Sequence, residues 1–191
     1  MLTFLSLALM ALALLWLVTA LVFLVEVVAG CFASKEPENS VAQPDGRIAV
    51  LIPAHNEGAG LQATLDDVKP QLGPGDRLVV VADNCSDDTA SVATERGAEV
   101  AVRNDLTRIG KGYALDWGIK YLATEPPDIV IVIDADCRVA HGTIARLAGA
   151  CEQRQVPVQS LDLMTAPAGS AINYQVAEFA WRVKNWVPRW A

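Results

Sequence analysis

Asp134-Ala135-Asp136 follows directly on the apolar run Ile129-Val130-Ile131-Val132-Ile133, which sets two carboxylates at the tip of what reads as a buried strand. Paired carboxylates at such a tip suit a hard divalent cation, which takes oxygen ligands from one or two acids and completes its shell with water and substrate phosphates. A solvated acidic loop is the simpler alternative for the pair taken alone. Two more acids follow apolar runs in the same way. Glu57 comes shortly after Ile48-Ala49-Val50-Leu51-Ile52, and Asp83 directly after Leu78-Val79-Val80-Val81-Ala82. In a parallel sheet the carboxyl ends of strands lie on one edge, where ligands gather. Glu57, Asp83, Asp134 and Asp136 therefore converge on that edge. Ionised carboxylates are seldom buried without partners, and a nucleotide with a metal would satisfy all four. Within Asp83-Asn84-Cys85-Ser86-Asp87-Asp88-Thr89, turn formation or helix capping accounts for Asp87 and Thr89. The turn Arg108-Ile109-Gly110-Lys111-Gly112-Tyr113 offers a phosphate contact, because its glycines allow close backbone approach and Lys111 stands just before a helix N-terminus.

The elements that must carry these residues alternate along the chain. Strands are expected at Ile48 to Ile52, Leu78 to Ala82, Glu99 to Arg103 and Ile129 to Ile133, since strands covered on both faces read as continuous Val/Ile/Leu runs. Between them lie helical patterns: Leu61, Leu65, Val68 and Leu72 on one face, ended or bent at Pro70; Asp87 to Arg96, closed by Gly97; and Tyr113 to Leu122. A helix from Thr143 to Glu152, a strand from Val156 to Leu163 and a helix from Ala171 to Trp190 complete the pattern. The last carries Phe179, Trp181, Trp186 and Trp190 among Arg182, Lys184 and Arg189. Those aromatics suit either core packing or an interfacial helix at lipid-headgroup level. Alternating strands and helices imply an α/β fold with a Rossmann-like, mostly parallel sheet and flanking helices.

Of the 191 residues, 52% are hydrophobic, and the excess sits at the N-terminus, where Met1 to Val25 carry no charge. That is length enough for a spanning helix. A cleaved leader is the rival, with Val28-Ala29-Gly30-Cys31 as its cleavage box. The missing basic start, the long apolar run and Glu26 before the cut favour a retained anchor. Residues 1–28 are thus expected as a transmembrane anchor and 29–46 as a linker, with Pro37, Pro44 and Gly46 in its polar stretch. Residues 47–191 would form the globular domain. Lys35 and Arg47 follow the helix and no basic residue precedes it, which places the body in the cytoplasm, on the inner membrane. Scattered Cys31, Cys85, Cys137 and Cys151 fit free thiols in a reducing compartment. A net charge of −7 and a pI near 4.8 exclude a general nucleic-acid binder.

Four ordered motifs carry a family resemblance: Val50-Leu51-Ile52-Pro53-Ala54-His55-Asn56-Glu57; Val81-Ala82-Asp83-Asn84-Cys85-Ser86-Asp87-Asp88-Thr89; Gly110-Lys111-Gly112-Tyr113-Ala114-Leu115; and Asp134-Ala135-Asp136. Over roughly Arg47 to Leu163 the chain resembles the nucleotide-sugar half of family 2 glycosyltransferases, with the GT-A fold. The N-terminal helix is similar to that of membrane-anchored members. The resemblance implies that Pro53, Ala54, Asn56 and Glu57 line the nucleoside pocket, with Glu57 near the uridine or ribose. It implies that Asp83 hydrogen-bonds the base, Lys111 lies by the phosphates, and Asp134 with Ala135 faces the ribose and metal-bound phosphate. Asp136, with Asp134, would hold Mg²⁺ or Mn²⁺. The donor would be a nucleotide-sugar, in particular a UDP-sugar. The acceptor would be a saccharide or lipid-linked molecule in envelope or extracellular polysaccharide assembly, and the mechanism inverting.

The chain departs from the family after these motifs. The family's general base, a later Asp, and the downstream Gln-x-x-Arg-Trp of processive members have no counterpart, since Pro188-Arg189-Trp190 lacks the Gln. The domain is therefore expected to be C-terminally incomplete, with Asp162 and Glu178 unassigned as bases. A nucleotide-binding fragment or membrane scaffold without turnover is the alternative. A dehydrogenase is a further rival, since Gly58-Ala59-Gly60-Leu61-Gln62-Ala63 satisfies a dinucleotide fingerprint, although Pro53 to Glu57 intervene between strand and glycines. A haloacid-dehalogenase-like phosphatase would place its acid pair after the first strand, not the fourth.

Overall fold

The computed structural model describes residues 2–32, 45–160, 162–166, 169 and 171–186. They fall into two units, one within Glu38–Gln159 and one within Met1–Pro37 and Ser160–Ala191.

The larger unit is built on β1 (Ile48–Ala54), β2 (Arg77–Asp83), β3 (Glu99–Arg103) and β4 (Ile129–Val132). The order is β3-β2-β1-β4, every pair parallel, with Leu51 opposite both Val79 and Val132. The period of two along β1 sorts its side chains between two cores. Ile48, Val50, Ile52 and Ala54 face Leu61, Leu65 and Val68 of α2 (Gly58–Val68), along with Ala93 of α3 (Thr89–Glu95) and Ile144 of α5 (Thr143–Arg154). Ala49 and Leu51 face the other way, against Ala114 and Leu122 of α4 (Lys111–Leu122). Both faces are thus covered, which is why the strand reads as an unbroken apolar run. Pro70 ends α2 as expected, and a 3₁₀ turn at Lys69–Gln71 replaces the next α turn. Strand ends carry their own ties: the Arg77 guanidinium bonds both oxygens of Glu99 at 2.8 and 2.6 Å, lowering the Glu99 carboxyl pKa.

In the smaller unit, α1 (Leu2–Phe32) is long and apolar enough over Thr3–Val25 to cross a membrane. The helix continues through Glu26 to Phe32, past the residue 28 expected for the anchor, and residues 33–44 of the expected linker lie outside the described residues. The last helix, α6 (Ile172–Trp186), lies within the expected 171–190, and residues 187–190 of that expectation lie outside the described residues. Its Glu178 accepts from the Ala166 N–H at 2.9 Å and pairs with Arg182, so this acid is engaged locally. Phe179 is exposed, so core packing does not account for it, while the Trp181 indole N–H donates to the Asp162 carbonyl at 2.9 Å.

The strand expected at Val156 to Leu163 does not form among the described residues. Its apolar residues change parity between Val158 and Leu161, so they would not share one face of a strand, and Val156 and Leu163 are exposed. Pro157 also removes a ladder donor.

The approach of α4 to the sheet depends on Gly118. A Cβ there would sit 2.6 Å from Leu51 Cδ1 and 2.8 Å from Val81 Cγ2. Gly118→Val is expected to destabilise the fold by about 2–3 kcal/mol, the cost of overpacking a core, as read by urea denaturation followed by circular dichroism.

Candidate functional site

The loop after β1 is knitted to the loop after β2. Asn56 and Asn84 both take left-handed backbone angles (φ 55 and 52), which Asn tolerates better than most residues. These turns aim their side chains sideways: Asn56 Oδ1 accepts from the Ser86 N–H at 2.7 Å, and Asn84 Oδ1 from the Asp105 N–H at 2.7 Å. The Asp83 carbonyl can only accept, so the 2.7 Å contact makes His55 Nδ1 the donor. The Glu57 N–H donates to Thr89 Oγ1 at 2.9 Å, and Glu57 stands at the N-cap of α2. Asp87 accepts from the Thr89 hydroxyl at 2.5 Å and from the Gly58 N–H at 3.2 Å, contacts that lower its pKa, the Thr89 hydroxyl most. Asp87 and Thr89 are therefore turn-forming groups, as the sequence suggested.

Asp83 is buried, and its partner is a residue that sequence reasoning passed over. Arg103, at the end of β3, donates to Asp83 Oδ1 at 2.5 Å, and the two side chains are only 6% and 7% exposed. Arg103 also donates to the Arg108 carbonyl at 2.7 Å and lies over the Tyr113 ring, 5.6 Å from its centroid. The guanidinium thus holds the 105–113 turn against the end of β2. Asp105 closes the network, with its carboxyl well below the usual range because the Thr107 hydroxyl and then the Arg108 guanidinium donate to it. A terminal Arg on the short Glu-Val-Ala-Val-Arg strand is a weak signal, since an exposed residue there would look the same. Among the described residues nothing donates to Asp83 Oδ2, which leaves that oxygen as an acceptor at the strand tip.

Asp134 and Asp136 are both exposed, and Ala135 between them is buried. The last ladder link is the Ile133 N–H to Leu51 carbonyl bond at 3.1 Å. Lys111, the first residue of α4, pairs with Asp134. Gly60 lies between the remaining two acids: a Cβ there would meet Glu57 Oε2 at 3.4 Å and Asp136 Cβ at 3.9 Å. The fold therefore brings Glu57, Asp134, Asp136 and Lys111 into one locality, and joins Pro53–Glu57 to the Asp83 loop through His55, Asn56 and Glu57. Among the described residues no three His, Cys, Asp or Glu side chains form a cation cage. Two exposed carboxylates fit a hard cation that takes its remaining oxygens from phosphate and water. A second residue missed from sequence is Thr64 of α2, fully buried, whose hydroxyl shares its one proton between the carbonyls of Ala135 and Cys137, at 2.7 and 2.8 Å. Gly58 and Gly60 of the dinucleotide-like fingerprint lie inside the first turn of α2, with His55-Asn56-Glu57 between them and β1. That is not the strand-to-helix turn the fingerprint requires.

Comparison with known proteins bears on the family and the fold. The sequence matches the family model for glycosyl transferase family 2 over residues 49–163. Glucosyl-3-phosphoglycerate synthase of Mycobacterium tuberculosis is 36% identical over 110 residues, a match covering 54% of this chain and 33% of that protein. The 4,4'-diaponeurosporenoate glycosyltransferase of Staphylococcus haemolyticus is 38% identical over 93 residues, covering 47% of this chain and 24% of that one. In fold, the chain is similar to a mannosyltransferase from Pyrobaculum calidifontis in complex with GDP-Man and Mn²⁺. The TM-score is 0.58 at 21% identity, over 74% of this chain and 42% of that one. The chain thus spans about a quarter to two fifths of the length of these proteins.

The contrast between buried Asp83 and exposed Asp136 separates their expected effects on stability. Asp83→Ala leaves the Arg103 charge buried without its main partner and is expected to cost about 3 kcal/mol, as for other broken buried pairs. Asp136→Ala, at an exposed position, is expected to change stability by less than about 0.5 kcal/mol. Thermal unfolding of the two variants beside the parent chain measures the difference.

Proposed function

The chain belongs to glycosyl transferase family 2, and we propose that its strand-edge site binds a nucleotide-activated sugar, in particular a UDP-sugar, with a divalent cation. The observation that carries the reading is the gathering of Glu57, Asp134, Asp136 and Lys111 at the C-terminal edge of the parallel sheet, beside the loop that ends β2. In open α/β sheets that edge is where ligands bind.

Each residue has a chemical task in this reading. The free Oδ2 of Asp83 accepts a hydrogen bond from the base, while its other oxygen is fixed by Arg103. Pro53, Ala54, Asn56 and Glu57 line the nucleoside side of the pocket, and Ala135 supports the ribose side between its two acidic neighbours. Lys111 and Asp134 are 55% and 51% exposed, and an ion pair in that setting is worth about 0–1 kcal/mol. Separating them is therefore easy, which frees Lys111 for a phosphate and Asp134 for a cation. Asp136 and Asp134 would hold Mg²⁺ or Mn²⁺, which when bound supplies Lewis-acid neutralisation of the nucleoside diphosphate leaving group. Transfer would then proceed with inversion to a saccharide or lipid-linked hydroxyl in envelope or extracellular polysaccharide synthesis. Helix α1 would anchor the domain at the cytoplasmic face of the inner membrane, followed by the linker to residue 46 and the sugar-nucleotide domain from residue 47.

Calorimetric titration of UDP tests the reading. Binding is expected to be tighter with Mn²⁺ or Mg²⁺ than without, and tighter for UDP than for GDP. Asp136→Ala should abolish the gain from metal, and Lys111→Ala should weaken UDP while leaving uridine unchanged. Equal binding by the parent chain and Asp136→Ala in the presence of Mn²⁺ would remove the metal role. Assay of transfer against hydrolysis of a UDP-sugar by the same protein separates an enzyme from a nucleotide-binding fragment.

A further inference from the structure

Beta4 is four residues long and its ladder stops at Ile133, yet the acids that follow it must stand in a fixed place to share one ligand. Within the loop itself the backbone supplies little. The Cys137 N–H reaches back to the Asp134 carbonyl at 3.2 Å, and the Thr143 N–H to the Ala140 carbonyl at 3.2 Å.

The fixing contacts come from α2 and the 3₁₀ turn that ends it. Thr64, Asp67 and Gln71 are spaced i, i+3 and i+7, so they share one stripe, flanking the apolar residues Leu61, Leu65 and Val68 that bury the helix. They take up the loop in chain order. The Thr64 hydroxyl shares its proton between the carbonyls of Ala135 and Cys137. The Asp67 carboxylate accepts two bonds from the Arg138 guanidinium, at 2.6 and 2.9 Å, and one from the Val139 N–H at 3.0 Å. Gln71 Nε2 donates to the Ala140 carbonyl at 3.2 Å, and its Oε1 accepts from the Ile144 N–H at 3.5 Å. Three polar residues in an otherwise apolar packing face thus bind consecutive stretches of a single loop.

We propose that this seam, with Thr64 at its head, is the positioning element for Asp134 and Asp136. Thr64 is a positioning residue: it touches no ligand, and acts by holding the carbonyls on either side of Asp136, those of Ala135 and Cys137. The hydroxyl itself is fully buried, so it has no water to compete with these two carbonyls for its proton. Outer-shell groups of this kind typically change metal affinity about 10- to 100-fold when removed. Asp67 adds a tie that persists across the ordinary pH range. Arg138, and then the Val139 N–H, hold its carboxyl down to about 2 from 3.8, so its contribution is complete above 3.8 and fades only as pH falls towards 2.

The inference rests on the proposed nucleotide and metal reading, and two measurements keep the two apart. Hydrogen exchange without any ligand reads the loop alone: Thr64→Val is expected to speed exchange of the Cys137 and Val139 amides while leaving β1 and β2 unchanged, with Thr64→Ser restoring parental rates. Calorimetry reads the consequence. With Mn²⁺ present, Thr64→Val should weaken UDP about 10-fold, Thr64→Ser should match the parent, and UDP binding without metal should be unaltered in both. Should Thr64→Val fail to fold, Asp67→Asn at the more exposed end of the seam is read in the same two ways. Unchanged loop exchange in a folded variant overturns the proposal, as does an equal loss of UDP binding with and without Mn²⁺, which would mark a general packing defect. A parent chain that shows no gain from Mn²⁺, beside loosened loop exchange in Thr64→Val, keeps the positioning role of the seam and overturns the metal reading alone.

Discussion

Parallel pairing of β1 with β2 on one side and β4 on the other is the constraint on which the site depends. Because all three run the same way, the loops that leave them emerge on one edge of the sheet, and residues as far apart in sequence as Glu57 and Asp136 become neighbours across Gly60. Burial enforces that pairing. A strand covered on both faces cannot leave its N–H and C=O groups unmet, so β1 must be paired along both edges. Its alternate side chains then fill two separate cores, one toward α2, α3 and α5 and one toward α4. The site inherits its location from this packing, without any contribution from the ligand.

Packing fixes where the loops emerge, and polar contacts fix where they go next. On the β2 and β3 side the agent is a buried guanidinium, and on the β4 side it is a helix stripe of hydroxyl, carboxylate and amide. These groups are either deeply buried or bonded to backbone, and each meets several partners at once. Such connected networks specify a unique arrangement because a partial version leaves buried polar groups unmet. The glycines contribute by omission: Gly60 leaves room between two acids, and Gly58 lets the start of α2 approach Asp88.

Much of this was legible in the sequence, and the parts that were not share a cause. The Val/Ile/Leu runs announced β1, β2 and β4, and the strand-end acids announced which side chains gather at the carboxyl edge. Pro70 marked the end of α2 correctly. Arg103 and Thr64 escaped notice because their roles come from partners that are distant in sequence, Asp83 at one end and Ala135 with Cys137 at the other. No local pattern distinguishes a buried Arg at a strand end from a solvated one. The expected strand from Val156 failed on its own pattern: the apolar residues change parity between Val158 and Leu161, Pro157 lacks a ladder donor, and Val156 and Leu163 stay exposed. Periodicity reports which faces a segment could bury, while formation requires something to bury them against.

Two of the ion pairs at the site, Asp83 with Arg103 and Lys111 with Asp134, differ in how firmly they are closed. Asp83 and Arg103 are almost fully enclosed, so separating them would strand charge in a medium that solvates it poorly, and the pair stays closed whatever binds nearby. Lys111 and Asp134 are half exposed, and water can solvate either one, so a competing charge can part them at little cost. In the proposed reading, a nucleoside is neutral and requires a rigid acceptor in a fixed direction, which the closed pair would provide by orienting Asp83. A diphosphate with its cation brings charges of both signs, and these can replace both members of the open pair together: phosphate at Lys111 and cation at Asp134. On the proposed reading, the electrostatic demands of the two ends of a nucleotide would match the two kinds of ion pair, which is the physical argument for the edge of the sheet as its site.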